Sequence, residues 1–140
     1  MDCGGSSCYD CLQIFNWKAG ITEFVTPVGS IIASEDGTTL GVTGTVGANS
    51  MSFTITNATG TWVQGSTFTA NPTNFPNIAA TYNTGAQLYS SENTGSNVQI
   101  AMARYAPAPN FIRITFSGTL KAADASSISI QNGVFQYDFP

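Results

Sequence analysis

The chain has 140 residues, 42% of them hydrophobic and only 9% charged, with eight acids against four bases for a formal net charge of −4. That is enough chain for one domain around one core and too little for two, and its charge lies far below the roughly 25% of ordinary soluble domains. Four cations cannot line a phosphate backbone or hold an anionic bilayer, which argues against nucleic acid as a partner and against membrane attachment other than through a lipid anchor.

Residues 1–11, "MDCGGSSCYDC", carry all three cysteines and almost no apolar bulk, so they read as a tether ahead of a single domain over 12–140. Alternation begins at "LQIFNWKA", with Phe15 and Trp17 on one face. "EFVTPVGSIIAS" is apolar but broken by Pro27 and Gly29, which predicts one bent or edge strand. "SEDGT" is a turn; after it "TLGVTGTV" alternates through Leu40 and Val42. "SMSFTIT", with Met51, Phe53 and Ile55 on one face, follows a loop read as the three residues 47–49, and the two strands make a hairpin.

"TWVQGSTFT" predicts a weaker strand. "ANPTNFPN" cannot be a central strand, and short pieces follow at "IAATY" and "AQLYS". "NVQIAMARY" turns Val98, Ile100 and Met102 inward. "FIRITFSGTL" alternates most cleanly, with Ile112, Ile114, Phe116 and Leu120 opposite Arg113, Thr115, Ser117 and Thr119. In "SISIQNGVFQYDFP" the pair Asn132-Gly133 fits either a two-residue hairpin or a bulge that moves the inward phase from Ile130 to Phe135. The long neighbouring strand needs a partner of similar length, which favours the bulge.

About eight to ten short strands at roughly 8–12-residue spacing, with no helix-period segment, predict an all-β antiparallel β-sandwich, the alternative being a small up-and-down β-barrel. The expected core is Phe15, Trp17, Val42, Phe53, Ile55, Ile100, Ile114, Phe116, Ile130 and Phe135.

Taken in order, "IFNWKA", "GITEF", "GVTGTVGANSMSFTITNATGTW", "NVQIAMARY", "RITFSGTL" and "SISIQNGVF" resemble a family of small surface lipoproteins of Bacteroidota bacteria, over about residues 12–138. The resemblance implies a β-sandwich at the outer membrane, anchored through a lipid-bearing cysteine after an export signal is removed; no such signal is present in this chain. Members usually have one such cysteine, whereas three crowd the start here, and the family offers no catalytic residues to carry over.

Chemistry-bearing constellations are sparse. Histidine is absent, which removes imidazole-based nucleophile systems and metal sites. The acids Asp2, Asp10, Glu23, Glu35, Asp36, Glu92, Asp124 and Asp138 fall mostly in predicted turns or the tail, where solvated loop carboxylates are expected rather than a glycosidase pair or a calcium site. Cys8 and Cys11 form a C-x-x-C that precedes a strand, not the helix a redox motif wants, and with Cys3 they give one ligand too few for zinc. A disulfide between two of them, with the third lipidated or joined to another molecule, is the better reading. No cofactor and no enzymatic activity are expected. Trp62, Phe68, Phe75, Tyr82, Tyr89 and Tyr105 lie among Asn, Thr and Gln in the irregular middle; they either cap the core or form a sugar-stacking platform. The functional expectation is a non-enzymatic, exported or cell-surface binding or structural module. Its alternatives are a glycan-docking accessory protein and a filament or coat subunit that associates through edge strands and the N-terminal arm.

Overall fold

The computed structural model describes residues 13–57, 62–107 and 110–139, and the three N-terminal cysteines lie outside them. The described residues form eleven antiparallel strands: β1 (Ile14–Ala19), β2 (Thr22–Val25), β3 (Ile31–Glu35), β4 (Thr39–Val46), β5 (Asn49–Thr56), β6 (Thr67–Ala70), β7 (Ile78–Asn83), β8 (Leu88–Ser90), β9 (Asn97–Pro107), β10 (Asn110–Ala122) and β11 (Ser127–Phe139). Short Thr, Ser and Asn side chains favour strands and turns over helices. A single 3-10 turn, Val28–Ser30, is the only helical piece among the described residues.

The strands join in the order β2-β1-β11-β10-β8-β7-β5-β4-β3, one sheet curled into a half-barrel. β10 is the branch point. Its residues 110–119 pair with β9, which in turn carries β6, while Lys121 and Ala122 pair with β8. One strand thus serves both walls around a common core, which gives the fold its sandwich-like and barrel-like character.

All ten expected core residues are buried, each at most 3% exposed. Phe15 is the hub. Its ring meets Trp17, Phe53, Phe116 and Phe135 edge-on at centroid distances of 5.5, 5.8, 5.8 and 5.7 Å. Such edge-to-face pairs each contribute about 0.5–1.5 kcal/mol beyond the area they bury. Gly44 of β4 lets this hub reach the far wall: a Cβ there would lie 2.9 Å from Phe15 Cδ2 and 2.7 Å from Thr26 Oγ1.

Three local expectations are corrected. "EFVTPVGSIIAS" is two strands, not one: β2 and β3 form opposite edges of the sheet, with Pro27 and the 3-10 turn between them. Proline ends the first ladder by withholding an N–H, and the chain crosses to the other wall before pairing again. The β4–β5 loop has two residues, Gly47 and Ala48, since Val46 pairs with Asn49. Gly47 has φ of 61°, as a tight hairpin turn with glycine in its first loop position requires. The strand expected across "TWVQGSTFT" is confined to Thr67–Ala70. Trp62 lies before it, outside any strand, and is buried.

The Asn132-Gly133 pair is a bulge inside one thirteen-residue strand. Register shifts against both neighbours, between Asn16 and Lys18 on β1 and between Phe116 and Gly118 on β10. Asn132 takes φ of 53°, a left-handed conformation that asparagine tolerates better than most residues. Ile130 faces the core before the bulge and Phe135 after it, so the inward phase moves from even to odd numbers.

Candidate functional site

The aromatic residues of the middle segment do not assemble into an exposed platform. Trp62 is buried and its Nε1 donates to Glu35 Oε2 at 2.9 Å. Tyr82 is buried, donates its hydroxyl to Asn49 Oδ1 at 2.8 Å, and stacks on half-buried Tyr89 with centroids 6.1 Å apart. Burial pushes the Tyr82 hydroxyl above its ordinary pKa of 10.0, and the neighbouring Tyr89 adds to the effect. Phe75 is half-buried, as are Phe68 and Tyr105, which pair with the inward residues Ile100 and Ile112. Phe68, Tyr89 and Tyr105 pack against the core, because hydrophobic burial outweighs display where strand parity turns a ring inward.

The acids build turns and support side chains. Asp36 Oδ1 accepts from the backbone N–H of Thr39 at 2.8 Å and of Thr38 at 3.0 Å, and these bonds hold its pKa below the ordinary 3.8. Asp124 is held below its ordinary value first by the Ser126 hydroxyl, then by the Ser126 N–H and the Gln87 amide. Glu35 accepts from Trp62 and from the N–H of Gly37. Three acids fall within strands, not turns: Glu23 in β2 opposite Lys18, Glu35 at the end of β3, and Asp138 in β11. Glu92 is exposed. Among the described residues no three His, Cys, Asp or Glu side chains cluster to hold a metal ion, and no helix is long and apolar enough to cross a membrane.

A different surface gathers functional groups. The outer face of β9, β10 and β11 holds an open depression of about 650 Å³ at the bulge. Thr115, Ser117, Gln131 and Asn132 are its polar lining, and Ala101, Phe116, Gly133 and Val134 supply the apolar surface between them. Strand parity explains the composition: Thr115 and Ser117 alternate with buried Ile114 and Phe116, so β10 sends its hydroxyls outward. The bulge supplies the shape. An extra residue on one strand interrupts the ladder and increases local twist, and here the consecutive residues Gln131 and Asn132 are both exposed and both line the depression.

All four polar side chains are exposed, and none bonds to another described side chain. Gln99 at the rim is more fixed, accepting from Thr69 Oγ1 at 3.2 Å and donating to Asn97 Oδ1 at 3.1 Å. Asn132 also borders a smaller recess of about 160 Å³, beside Asn16, Lys18, Glu23 and Val25, which extends the surface over β1 and β2. The depression itself has no titratable side chain in its lining. Its groups can donate and accept neutral hydrogen bonds, and they cannot exchange protons near neutral pH.

Sequence reasoning missed this site. The outward Thr115 and Ser117 were legible as the polar half of an alternation, but only the pairing of three strands brings them beside Gln131 and Asn132. No protein-family model matches the chain, and no match was found among curated proteins or solved structures.

Proposed function

We propose that this protein is a non-catalytic binding module, exported and displayed at a cell surface, whose working surface is the depression around Asn132 and whose ligand is a hydroxyl-rich chain of the glycan class. One observation carries the reading: a concave patch concentrates exposed neutral amides and hydroxyls that bond to no other described side chain. Amides and hydroxyls both donate and accept, and so do sugar hydroxyls, so each can match the other without charge. The strand-order resemblance to surface lipoproteins supports the cellular placement, and the absence of histidine supports a role without catalysis.

The test is binding by the full chain to a panel of oligosaccharides, measured by calorimetry, beside Asn132→Gly and Gln131→Ala variants. Glycine keeps the left-handed backbone while removing the amide. A neutral hydrogen bond contributes about 0.5–1.5 kcal/mol, so each variant is expected to bind roughly 2- to 12-fold more weakly at an unchanged melting temperature. A panel without a single binder sinks the proposal.

A second reading, self-assembly, is favoured by a separate observation. Residues 21–32, which run from the turn before β2 into β3, expose Ile21 at 94%, Val25 at 69%, Val28 at 58% and Ile32 at 71%. Neither β2 nor β3 carries a lysine, a proline or a register shift to discourage strand addition.

A further inference from the structure

The chain has four cationic side chains, and two of them, Arg104 and Arg113, stand directly opposite each other as register partners on β9 and β10. Like charges facing each other across a ladder oppose strand pairing. Neither arginine is relieved by an ion pair with a described acid. Arg113 Nη1 instead donates to the neutral Oε1 of buried Gln136 at 2.6 Å, and Arg104 lies over the Phe111 ring at 5.4 Å from its centroid. Among the described residues both side chains are therefore steered by uncharged partners.

Their place on the sheet joins them to the depression. Outward positions on β10 run Arg113, Thr115, Ser117, and Arg113 is the outward residue immediately before Thr115. Two residues of strand span about 6.6 Å, so Arg113 stands one outward position from the lining residue Thr115. The nearest acid on this face of the ladder, Asp138, pairs with Phe111, two rungs from Arg113 on the side away from the depression. Lys18 and Glu23 stand together at the opposite end, beside the smaller recess. Between these two ends the lining is neutral.

Resting on the glycan reading above, we propose that the bound chain carries an acidic group, a carboxylate or a sulfate, which sits at the Arg104–Arg113 pair while its hydroxyls occupy the Asn132 depression. A guanidinium offers paired N–H donors that match the oxygens of either anion, and two guanidiniums on one face hold such a group from both sides. An anion there also removes the repulsion between the arginines, so binding and local sheet pairing favour each other.

The experiment compares three probes of equal length with the full chain: a neutral oligogalactan, an oligogalacturonate and a sulfated oligogalactan, each at low and at 0.5 M NaCl. At least one acidic probe is expected to bind roughly 10-fold or more tightly than the neutral one, in line with the greater strength of charge-assisted bonds. That preference should shrink in high salt and disappear in Arg104→Gln and Arg113→Gln. Arg113→Lys should keep part of it, having the charge without the fork. Arg104 is exposed, so Arg104→Gln tests the idea even if loss of the Gln136 bond unsettles the Arg113 variant. Which acidic probe binds more tightly identifies the group. Equal binding of neutral and acidic probes, or a preference untouched by either glutamine variant, overturns the acidic-group inference and leaves the glycan reading standing. Failure of all three probes, together with the wider panel, overturns both.

Discussion

Tyr82 shows how one buried polar atom can tie stability to solvent. Its ring packs edge-on against Trp17 at 6.3 Å, and its hydroxyl has one partner, Asn49 Oδ1. Ionisation would place a charge in that buried position and turn a donor into a second acceptor facing an acceptor. Burial first, and the neighbouring Tyr89 second, hold the folded pKa above the ordinary 10.0 of an unfolded chain. The contribution of this group to stability is then fully present below pH 10.0 and is lost as pH rises through the higher folded value. Thermal melts between pH 8 and pH 11 should fall off at the alkaline end, and Tyr82→Phe should flatten that fall while lowering stability at neutral pH by about 0.5–1.5 kcal/mol, the value of one hydrogen bond. An alkaline slope identical in the two proteins would show that burial at this position does not resist ionisation.

At the scale of the element, β11 decides both the packing and the site. Gly133 sits at the bulge with the Phe116 ring so close that a Cβ would lie 2.4 Å from Cδ2 and from Cε2. Phe116 is itself held by Phe15 at 5.8 Å and Phe53 at 5.5 Å, so the ring has no easy retreat. Gly133→Ala should cost about 1–3 kcal/mol through overpacking, and Phe116→Ala about 3–5 kcal/mol through the opposite defect, a cavity. Denaturant midpoints measure both, and a neutral Gly133→Ala would mean that the bulge yields to the new methyl group. Much of this strand was legible beforehand. Asn-Gly between two alternating runs signals a break, and the length of "FIRITFSGTL" points to a bulge instead of a reversal. The split of "EFVTPVGSIIAS" into β2 and β3 was less legible, because alternation describes a strand's two faces and carries nothing about which wall it joins. The depression was hidden for the same reason: Thr115, Ser117, Gln131 and Asn132 are neighbours only once β10 and β11 pair with their shifted register.

For the molecule as a whole, the half-barrel leaves edges, and edges are where a weakly charged β-protein meets other chains. A closed barrel would remove them; here β2 and β3 end the main order of strands and β6 ends the branch on β9. Residues 21–32, from the turn before β2 into β3, expose four large aliphatic side chains at Ile21, Val25, Val28 and Ile32, and β3 pairs with β4 in unbroken register, while no described strand pairs with the row of backbone donors and acceptors on its other side. An antiparallel copy of the same strand offers the complementary row, since each donor finds an acceptor on reversing direction. If that edge is used, sedimentation of the chain should show a mass that rises with protein concentration, and Ile32→Lys should return it to the monomer by placing a charge where a second strand would bury an isoleucine. Melting of the variant should be nearly unchanged, because Ile32 is 71% exposed and contributes little to the core. A monomer at every concentration rules out assembly through β3 and leaves the Asn132 face as the surface to pursue. A concentration-dependent mass that persists in Ile32→Lys moves the contact away from β3.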